Sequence, residues 1–150
     1  MVHKKIATVL GAIGTIACLE KAKLLQDQTH QTSTLNLRNL SLQPNDVKAI
    51  AKVLKQEDRN ASIKSISFSY NRQIGDSGAN VLAKQLPVSL TEIGFVDCGI
   101  ADKGGSAILN WMTTATDLSI ICMEDNHFSD GLKMEFRTFK KNNPGIIVVV

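Results

Sequence analysis

The stretch IKSISFSYN at residues 63–71 decides the fold of this 150-residue chain, because it recurs downstream. It returns as LTEIGFVDC at residues 90–98 and as LSIICMEDN at residues 118–126, with apolar residues at the first, fourth and sixth positions and Asn or Cys at the ninth. The starting residues are 27 and 28 positions apart, and 28 more lead to Ile146 in the terminal GIIVVV. A fixed period of this length predicts a repeat protein with one strand per unit and a further strand at Ile146.

A looser copy precedes these three, since residues 35–37 align with residues 66–68 at a spacing of 31. After each of the first three strands in the sequence, apolar residues recur at i, i+3, i+4 and i+7, which predicts helices with one buried stripe each. Asp76, Asp102 and Asp130 precede three of these stripes and are predicted to be helix N-caps. Because neither strand nor helix can bury its apolar face alone, the units are expected to stack on one another.

These residues resemble the leucine-rich repeat family, and specifically its ribonuclease-inhibitor-like class. The resemblance covers residues 32–150 and implies an α/β fold: a short right-handed solenoid of four repeats plus a terminal strand, with a parallel sheet on the concave side and helices on the convex side. Asn71, Cys98 and Asn126 occupy the position that bonds backbone groups in the turn leaving the strand. The first repeat departs from the pattern with Leu40 there, the second has one extra residue after its Asn, and the fourth has an irregular helix.

Residues 1–31 do not fit the repeat and are predicted to form an N-terminal apolar helix. An uncharged run from Ile6 to Leu19 follows two lysines. Three alternatives remain open: a helix that caps the first repeat, a secretory signal, or a membrane anchor. The residues around Cys18 resemble a weak bacterial lipobox, which leaves open whether that thiol is lipidated. A run of fourteen residues is shorter than the ~20 that a spanning helix needs.

Charge and cysteine content limit the compartment and the partners. There are 17 Lys+Arg against 14 Asp+Glu, without the clusters of basic and aromatic residues that nucleic-acid binding needs, so no nucleic-acid partner is expected. The three Cys share no CxxC spacing and are odd in number, which argues against a disulfide framework. An intracellular reducing compartment is favoured, with a membrane-associated or exported protein as the alternative.

No set of residues in the sequence suggests catalysis. His3, His30 and His127 are far apart and have no His or Cys at metal-ligand spacing, and there is no phosphate-binding glycine motif. We therefore expect no catalytic residue, no metal and no cofactor. The chain is predicted not to be an enzyme.

A partner-binding surface is predicted instead on the concave face, where the outward residues of successive strands lie side by side. The N-terminal half of this face is small and polar, and the C-terminal half is apolar. Cys98 is predicted to be structural and Cys122 to be the accessible thiol. The predicted contact residues, including two in the terminal strand, are Arg38, Ser67, Ser69, Glu92, Val96, Ile120, Cys122, Glu124, Val148 and Val150.

The C-terminal end has two further features. The terminal strand carries no charge to protect its edge, so it is expected to be buried in an interface, either with a second copy of the chain or inside a larger complex. Lys133, Arg137, Lys140 and Lys141 lie near one face of the last predicted helix, as a solvated face or as a contact for an acidic partner or anionic lipid head groups.

The function predicted from these features is a non-enzymatic protein–protein interaction module. An accessory subunit of a larger assembly is favoured, with membrane association through Ile6 to Leu19 left open. The alternative is a free soluble leucine-rich-repeat regulator or a bacterial effector. An enzyme of another class is the outsider, and it would require a deep polar pocket.

Overall fold

The computed structural model describes residues 2–27, 32–57 and 63–150. Helices and strands alternate after an N-terminal helical pair, as the α/β prediction requires. His30, one of the three histidines considered as metal ligands, is outside the described residues, as are the other residues of 28–31. The elements are α1 (Val2–Ile13), α2 (Ile16–Asp27), β1 (Thr34–Asn36), α3 (Pro44–Glu57), β2 (Ser65–Ser67), α4 (Gly75–Gln85), β3 (Glu92–Gly94), α5 (Asp102–Thr114), β4 (Ile120–Cys122), α6 (Asp130–Asn142) and β5 (Ile147–Val149).

The five strands form one parallel sheet in the order β1-β2-β3-β4-β5, so each strand pairs with the strand of the next repeat. Every strand is three residues long, and its central residue points into the core while its two neighbours point outward. The aligned central residues are Leu35, Ile66, Ile93, Ile121 and Val148. The predicted solenoid, with one strand per repeat and a further terminal strand, is confirmed.

The core lies between the sheet and the helices and runs without interruption from one repeat to the next. Phe68 and Phe95 occupy the same position in adjacent repeats, and their rings stack with centroids 5.8 Å apart and planes 7° apart. Apolar residues on the inner faces of the helices, such as Ile50, Leu82 and Ile108, close the other side. Each repeat therefore buries its interior against its neighbours, as the stacking argument predicts.

Asp76 and Asp102 are not the N-caps of their own helices, so this prediction is wrong. Asp76 lies inside the first turn of α4, and its Oδ1 accepts hydrogen bonds from the N–H groups of Ala101 and Gly104, at 2.9 and 2.8 Å, at the start of the following helix α5. Asp102 likewise accepts from the Ser129 N–H at 2.7 Å, just before α6. These two aspartates bond the start of the next repeat's helix, because stacking brings successive helix starts side by side.

The start of α6 is capped by Ser129, whose hydroxyl accepts a hydrogen bond from the N–H of Leu132 at 3.2 Å. Asp130 is the first residue of α6 and is not its N-cap. The N-cap of α6 is therefore Ser129 and not the predicted Asp130.

The N-terminal segment forms two helices where one was predicted. Gly14, with φ of 78°, ends α1, and α2 begins at Ile16. The predicted stripe consequently breaks: Ile6 and Leu10 are fully buried in α1, whereas Ile16 is 78% exposed. α1 packs against α3, and Cys18 in α2 is buried with its Sγ 3.7 Å from the carbonyl of Leu40.

The last strand is shifted by one residue from its predicted register. Ile146 keeps the anchor position, since its N–H bonds the Asn143 carbonyl just as the N–H of Leu118 bonds that of Ala115. The link from anchor to strand is one residue shorter than in the preceding repeat, so β5 begins at Ile147. Because strand side chains alternate, this shift exchanges the two faces of the strand. Val148, predicted to face outward, lies in the core and is 5% exposed.

A candidate protein-binding face

The outward positions of β2, β3 and β4 meet in a shallow hollow on the concave face, with a volume of about 260 Å³. Most of the predicted contact residues line it, and that they contact a partner stays a prediction. The predicted contact residues Glu124, Val148 and Val150 do not line it. The lining side chains are those of Arg38, Ser65, Ser67, Ser69, Glu92, Val96, Ile120 and Cys122, together with Gly94 and the edges of Ile66 and Ile93.

The polar half of the hollow is held by hydrogen bonds between adjacent repeats. Ser65 donates from Oγ to Glu92 Oε2 at 3.1 Å, which orients that carboxylate on the surface. Ser69 is buried, and its hydroxyl accepts from the N–H of Val96 at 3.1 Å. The prediction that Ser69 offers a contact to a partner is therefore corrected: its oxygen fixes the backbone of the next repeat.

Gly94 keeps the floor of the hollow open. A Cβ at this position would lie 2.9 Å from the Ser69 Oγ and 3.1 Å from the Ser67 Oγ. The absence of a side chain at the end of β3 therefore lets Ser67 of β2 and Ser69, just after that strand, occupy the floor. A larger residue there would fill the space that a partner side chain can enter.

The apolar half is formed by β4 and β5. Val96, Ile120 and Cys122 are half-buried, and beyond them Ile147 and Val149 are 53% and 36% exposed. These last two residues replace the predicted Val148 and Val150 as the outward pair of β5. The register places Ile147 beside Ile120 and Val149 beside Cys122. The apolar surface is thus continuous across two strands.

Two acidic residues border this apolar half. Burial, followed by the negative charges of Glu124 and Glu92, raises the pKa of the Cys122 thiol. Among the described residues, Glu124 Oε2 has no hydrogen-bond partner although that oxygen is buried. Buried polar atoms are nearly always paired, so this oxygen is an acceptor left open beside the apolar surface.

Cys98 and Cys122 differ in accessibility as predicted. Cys18 and Cys98 are buried, and Cys122 is half-buried on the concave face. Burial raises the pKa of Cys98 to about 12, against a smaller lowering by the backbone N–H of Asn71. The Cys98 Sγ lies 3.3 Å from the Phe68 carbonyl of the preceding repeat, which fits its predicted structural role.

A second, larger hollow of about 720 Å³ adjoins the first at Arg38 and lies over the turns that leave β1, β2 and β3. The Arg38 guanidinium sits 4.9 Å from the centre of the Tyr70 ring, and Arg72 Nε donates to Asp97 Oδ2 at 2.7 Å. The sequence analysis did not single out Tyr70, Arg72 or Asp97. The extra residue after Asn71 was the available signal, because it lengthens this turn.

The chemistry of the described residues is otherwise sparse. Across residues 2–27, 32–57 and 63–150, no three His, Cys, Asp or Glu side chains come together in a group able to hold a metal ion. Within the same ranges, no helix combines the length and apolarity needed to cross a bilayer. The two hollows are shallow surface features rather than deep polar pockets.

Comparison with known proteins agrees with the repeat architecture. The Leucine Rich repeat family matches residues 59–83 and 88–109, which are the second and third units of the sequence pattern. A search of the curated proteins found no significant match.

Proposed function

Because this chain is a leucine-rich repeat protein, we propose that it is a non-enzymatic module that binds another protein through its concave face. Stacked repeats create extended concave surfaces suited to binding. One observation carries the proposal: an apolar surface made by Ile120, Cys122, Ile147 and Val149 continues across two strands of that face. Contiguous exposed apolar surface of this kind marks interaction sites in soluble proteins.

The polar groups around the apolar surface support the same proposal. Glu92 is held on the surface by Ser65, and the negative charge of Glu124 lies near Cys122 at the border of the apolar surface. Arg38 stands at the opposite end of the hollow. An apolar centre with separated charges at its border is the usual arrangement of a protein interface.

Two finer assignments belong to this proposal. The repeats are placed in the ribonuclease-inhibitor-like class, which is supported by spacings of 27 and 28 residues and by a full helix in each unit. The chain is proposed to act as an accessory subunit of a larger assembly, which is supported by the exposed apolar residues on two separate surfaces, Ile16 and Leu24 in α2 and Ile147 in β5. Membrane association of that assembly through Ile6 to Leu19 stays a prediction.

The N-terminal segment, residues 1–31, is proposed to be a cap on residues 32–150. Ile6 and Leu10 of α1 are fully buried, and α1 packs against α3. His3 Nε2 lies 3.2 Å from the carbonyl of Thr34 in β1, and Lys5 forms an ion pair with Glu57 at the end of α3. These contacts cover the first repeat on both its helix and its strand side.

Site-specific photo-crosslinking tests the proposed binding face. A photoreactive amino acid is placed at Glu92 on the concave face or, as a control, at Lys48 on the exposed side of α3. The full chain is then irradiated in the cells that express it. We expect a discrete crosslinked protein from position 92 and none from position 48, since only the concave face is proposed to contact the partner.

A matched pair of variants decides whether the apolar surface is responsible. Ile147→Asp places a charge on the concave face, whereas Met134→Asp places one on α6, where Met134 is 57% exposed. The crosslink from position 92 should disappear with I147D and persist with M134D. Equal crosslinking from both variants, or from positions 48 and 92, would refute the proposed site.

A further inference from the structure

Each inner helix presents one face to the helix of the following repeat. In α4 this face includes Ala79, because a Cβ at Gly104 of α5 would lie 2.9 Å from the Cβ of Ala79. In α5 the equivalent position is Gly105, where a Cβ would lie 2.6 Å from a methyl carbon of Leu132 in α6. The equivalent rows, spaced i, i+4 and i+7, carry small or apolar residues throughout: Val47, Ala51 and Leu54 in α3, Ala79 and Ala83 in α4 with Leu86 just after its end, and Gly105, Leu109 and Met112 in α5.

In α6 the same row consists of Lys133, Arg137 and Lys140. Lys133 is half-buried, and the other two are exposed. Among the described residues, no carboxylate lies within ion-pair distance of these three side chains. A face that receives another helix in the inner repeats is therefore a row of three unpaired positive charges at this end of the solenoid.

Among the described residues, the sheet has an open edge at the same end. β5 pairs with β4 alone in the described part of the chain. Ile147 donates its N–H to the Ser119 carbonyl at 2.8 Å, and the Val149 carbonyl accepts from Met123 at 2.7 Å. In a parallel ladder the intervening residue bonds the opposite neighbour, so the N–H and C=O of Val148 point away from β4. The run NNPGIIVVV at residues 142–150 contains no charge to discourage pairing there.

We infer that this end of the solenoid, α6 together with β5, binds an extended acidic segment of another protein, which adds to β5 as a sixth strand. The free backbone groups of Val148 supply the hydrogen bonds, as in other cases of strand addition. The basic row of α6 supplies the charge preference. A second copy of this chain would bring an identical basic row against the first, so like charges disfavour self-pairing at this edge. The inference rests on the proposed function because both take the occupant to be a protein. It concerns the free edge of β5 and the basic row of α6, whereas the proposed function concerns the concave face.

Defined peptides test the inference on the full chain. The probe is a short peptide of alternating threonine and valine with glutamates at both ends. Three matched peptides each differ from it in one property: one carries lysines at its ends, and the other two have N-methyl groups on alternate backbone amides, in the two possible registers. Binding is measured by fluorescence anisotropy, and the location of binding by amide chemical shifts of residues 146–150.

The glutamate peptide should bind at least about tenfold more tightly than the lysine peptide, with the difference shrinking as salt is added. One of the two possible N-methylation patterns should abolish binding, because it removes the N–H groups that pair with β5. Equal affinity of the glutamate and lysine peptides, or unchanged affinity with both N-methylation patterns, would overturn the inference.

Charge-reversal variants separate α6 from general electrostatics. The variant K133E/R137E/K140E should reverse the preference between the two charged peptides. The control K48E/K52E/K55E changes the net charge by the same amount on the exposed side of α3 and should leave the preference unchanged. Both variants are first checked for unaltered urea unfolding, since all six side chains lie at the surface or are half-buried.

The crosslinking experiment keeps this inference distinct from the proposed function. If the unmodified chain gives the crosslink from position 92 and yet binds none of the peptides, only the sixth-strand inference fails, and the proposed function stands. If sedimentation instead shows a dimer, and the amide chemical shifts of residues 146–150 change as it forms, the occupant is a second copy and the inference is wrong.

Discussion

Asn71 ties the second repeat to the first through its side-chain amide. Its Oδ1 accepts from the N–H groups of Leu40 and Leu42 at 2.9 and 3.1 Å, and its Nδ2 donates to the carbonyls of Leu37 and Phe68 at 2.8 and 2.6 Å. Asn126 makes the equivalent bonds to the third repeat: its Oδ1 accepts from the N–H groups of Cys98 and Ile100, and its Nδ2 donates to the carbonyl of Phe95. The role that the sequence analysis gave to this position is therefore confirmed in detail.

Replacing Asn71 by Ala should lower the free energy of unfolding by at least about 3 kcal/mol, because the substitution leaves several buried backbone groups unpaired. Asn126→Ala should cost less, since Asn126 is only half-buried and water can reach its partners. Urea denaturation followed by circular dichroism measures both. A loss below about 1 kcal/mol for Asn71→Ala would contradict the structural role of the Asn71 hydrogen bonds.

The burial of the thiols leads to a prediction about their reactivity. In the native chain at neutral pH, iodoacetamide should modify Cys122 alone, and slowly, because the raised pKa of this thiol leaves little thiolate. Cys18 and Cys98 should react only after unfolding, since both are buried. Mass spectrometry of peptides from native and urea-treated protein distinguishes the sites. Rapid native labelling of Cys98 would contradict the described packing.

At the scale of elements, Asp102 links successive helices and makes stability depend on pH. Hydrogen bonds from the hydroxyl and the backbone N–H of Ser129 hold the pKa of the Asp102 carboxyl below its ordinary value. A carboxyl whose pKa is lower in the folded than in the unfolded chain stabilises the fold above the unfolded pKa, and this contribution is lost as pH falls through the folded value.

Asp102→Asn should therefore reduce the loss of stability between neutral pH and about pH 3, where ordinary Asp is protonated. Denaturation midpoints across that interval measure the effect, with Asp117→Asn as a control for an exposed Asp. The link between α5 and α6 would be disproved if the wild type and D102N lost stability in parallel over the whole interval.

The N-terminal helices separate two residues that the sequence pattern had placed on one stripe. Leu10→Ala should destabilise the chain by about 2–5 kcal/mol, because Leu10 is fully buried between α1 and the first repeat. Ile16→Ala should change stability by less than about 0.5 kcal/mol, since its side chain is largely exposed. Thermal unfolding of both variants tests the two-helix arrangement. Equal losses would favour a single continuous helix.

The elements also show what the sequence could and could not predict. Strand positions followed from the period, because each strand contains a buried residue at a fixed place in the repeat. The break at Gly14 was missed because the apolar spacing continues across it, and only the positive φ of that glycine marks the end of the helix. The register of β5 was missed because one residue fewer separates Ile146 from the strand, and spacing measured from the anchor cannot detect that change.

At the scale of the whole molecule, the repeats form a row in which each unit contacts mainly its neighbours. The outward positions of β2, β3 and β4 could be predicted, since stacking in register determines which outward residues lie side by side, whereas those of β5 could not. Residues such as Tyr70, Arg72 and Asp97 could not, because their arrangement depends on the path of a turn with one extra residue. The two ends also differ, with the apolar helix α1 packed on the first repeat and a basic row on α6.

The most direct test of this account is a methyl NOE spectrum of the full chain with labelled isoleucine side chains. Stacking in the described register predicts contacts from Ile66 to Ile93 and from Ile93 to Ile121 inside the core. On the concave face it predicts a contact between Ile120 and Ile147. Missing contacts along the core series, or contacts that place Ile147 in the core beside Ile121, would contradict both the shared interior and the binding face built on it.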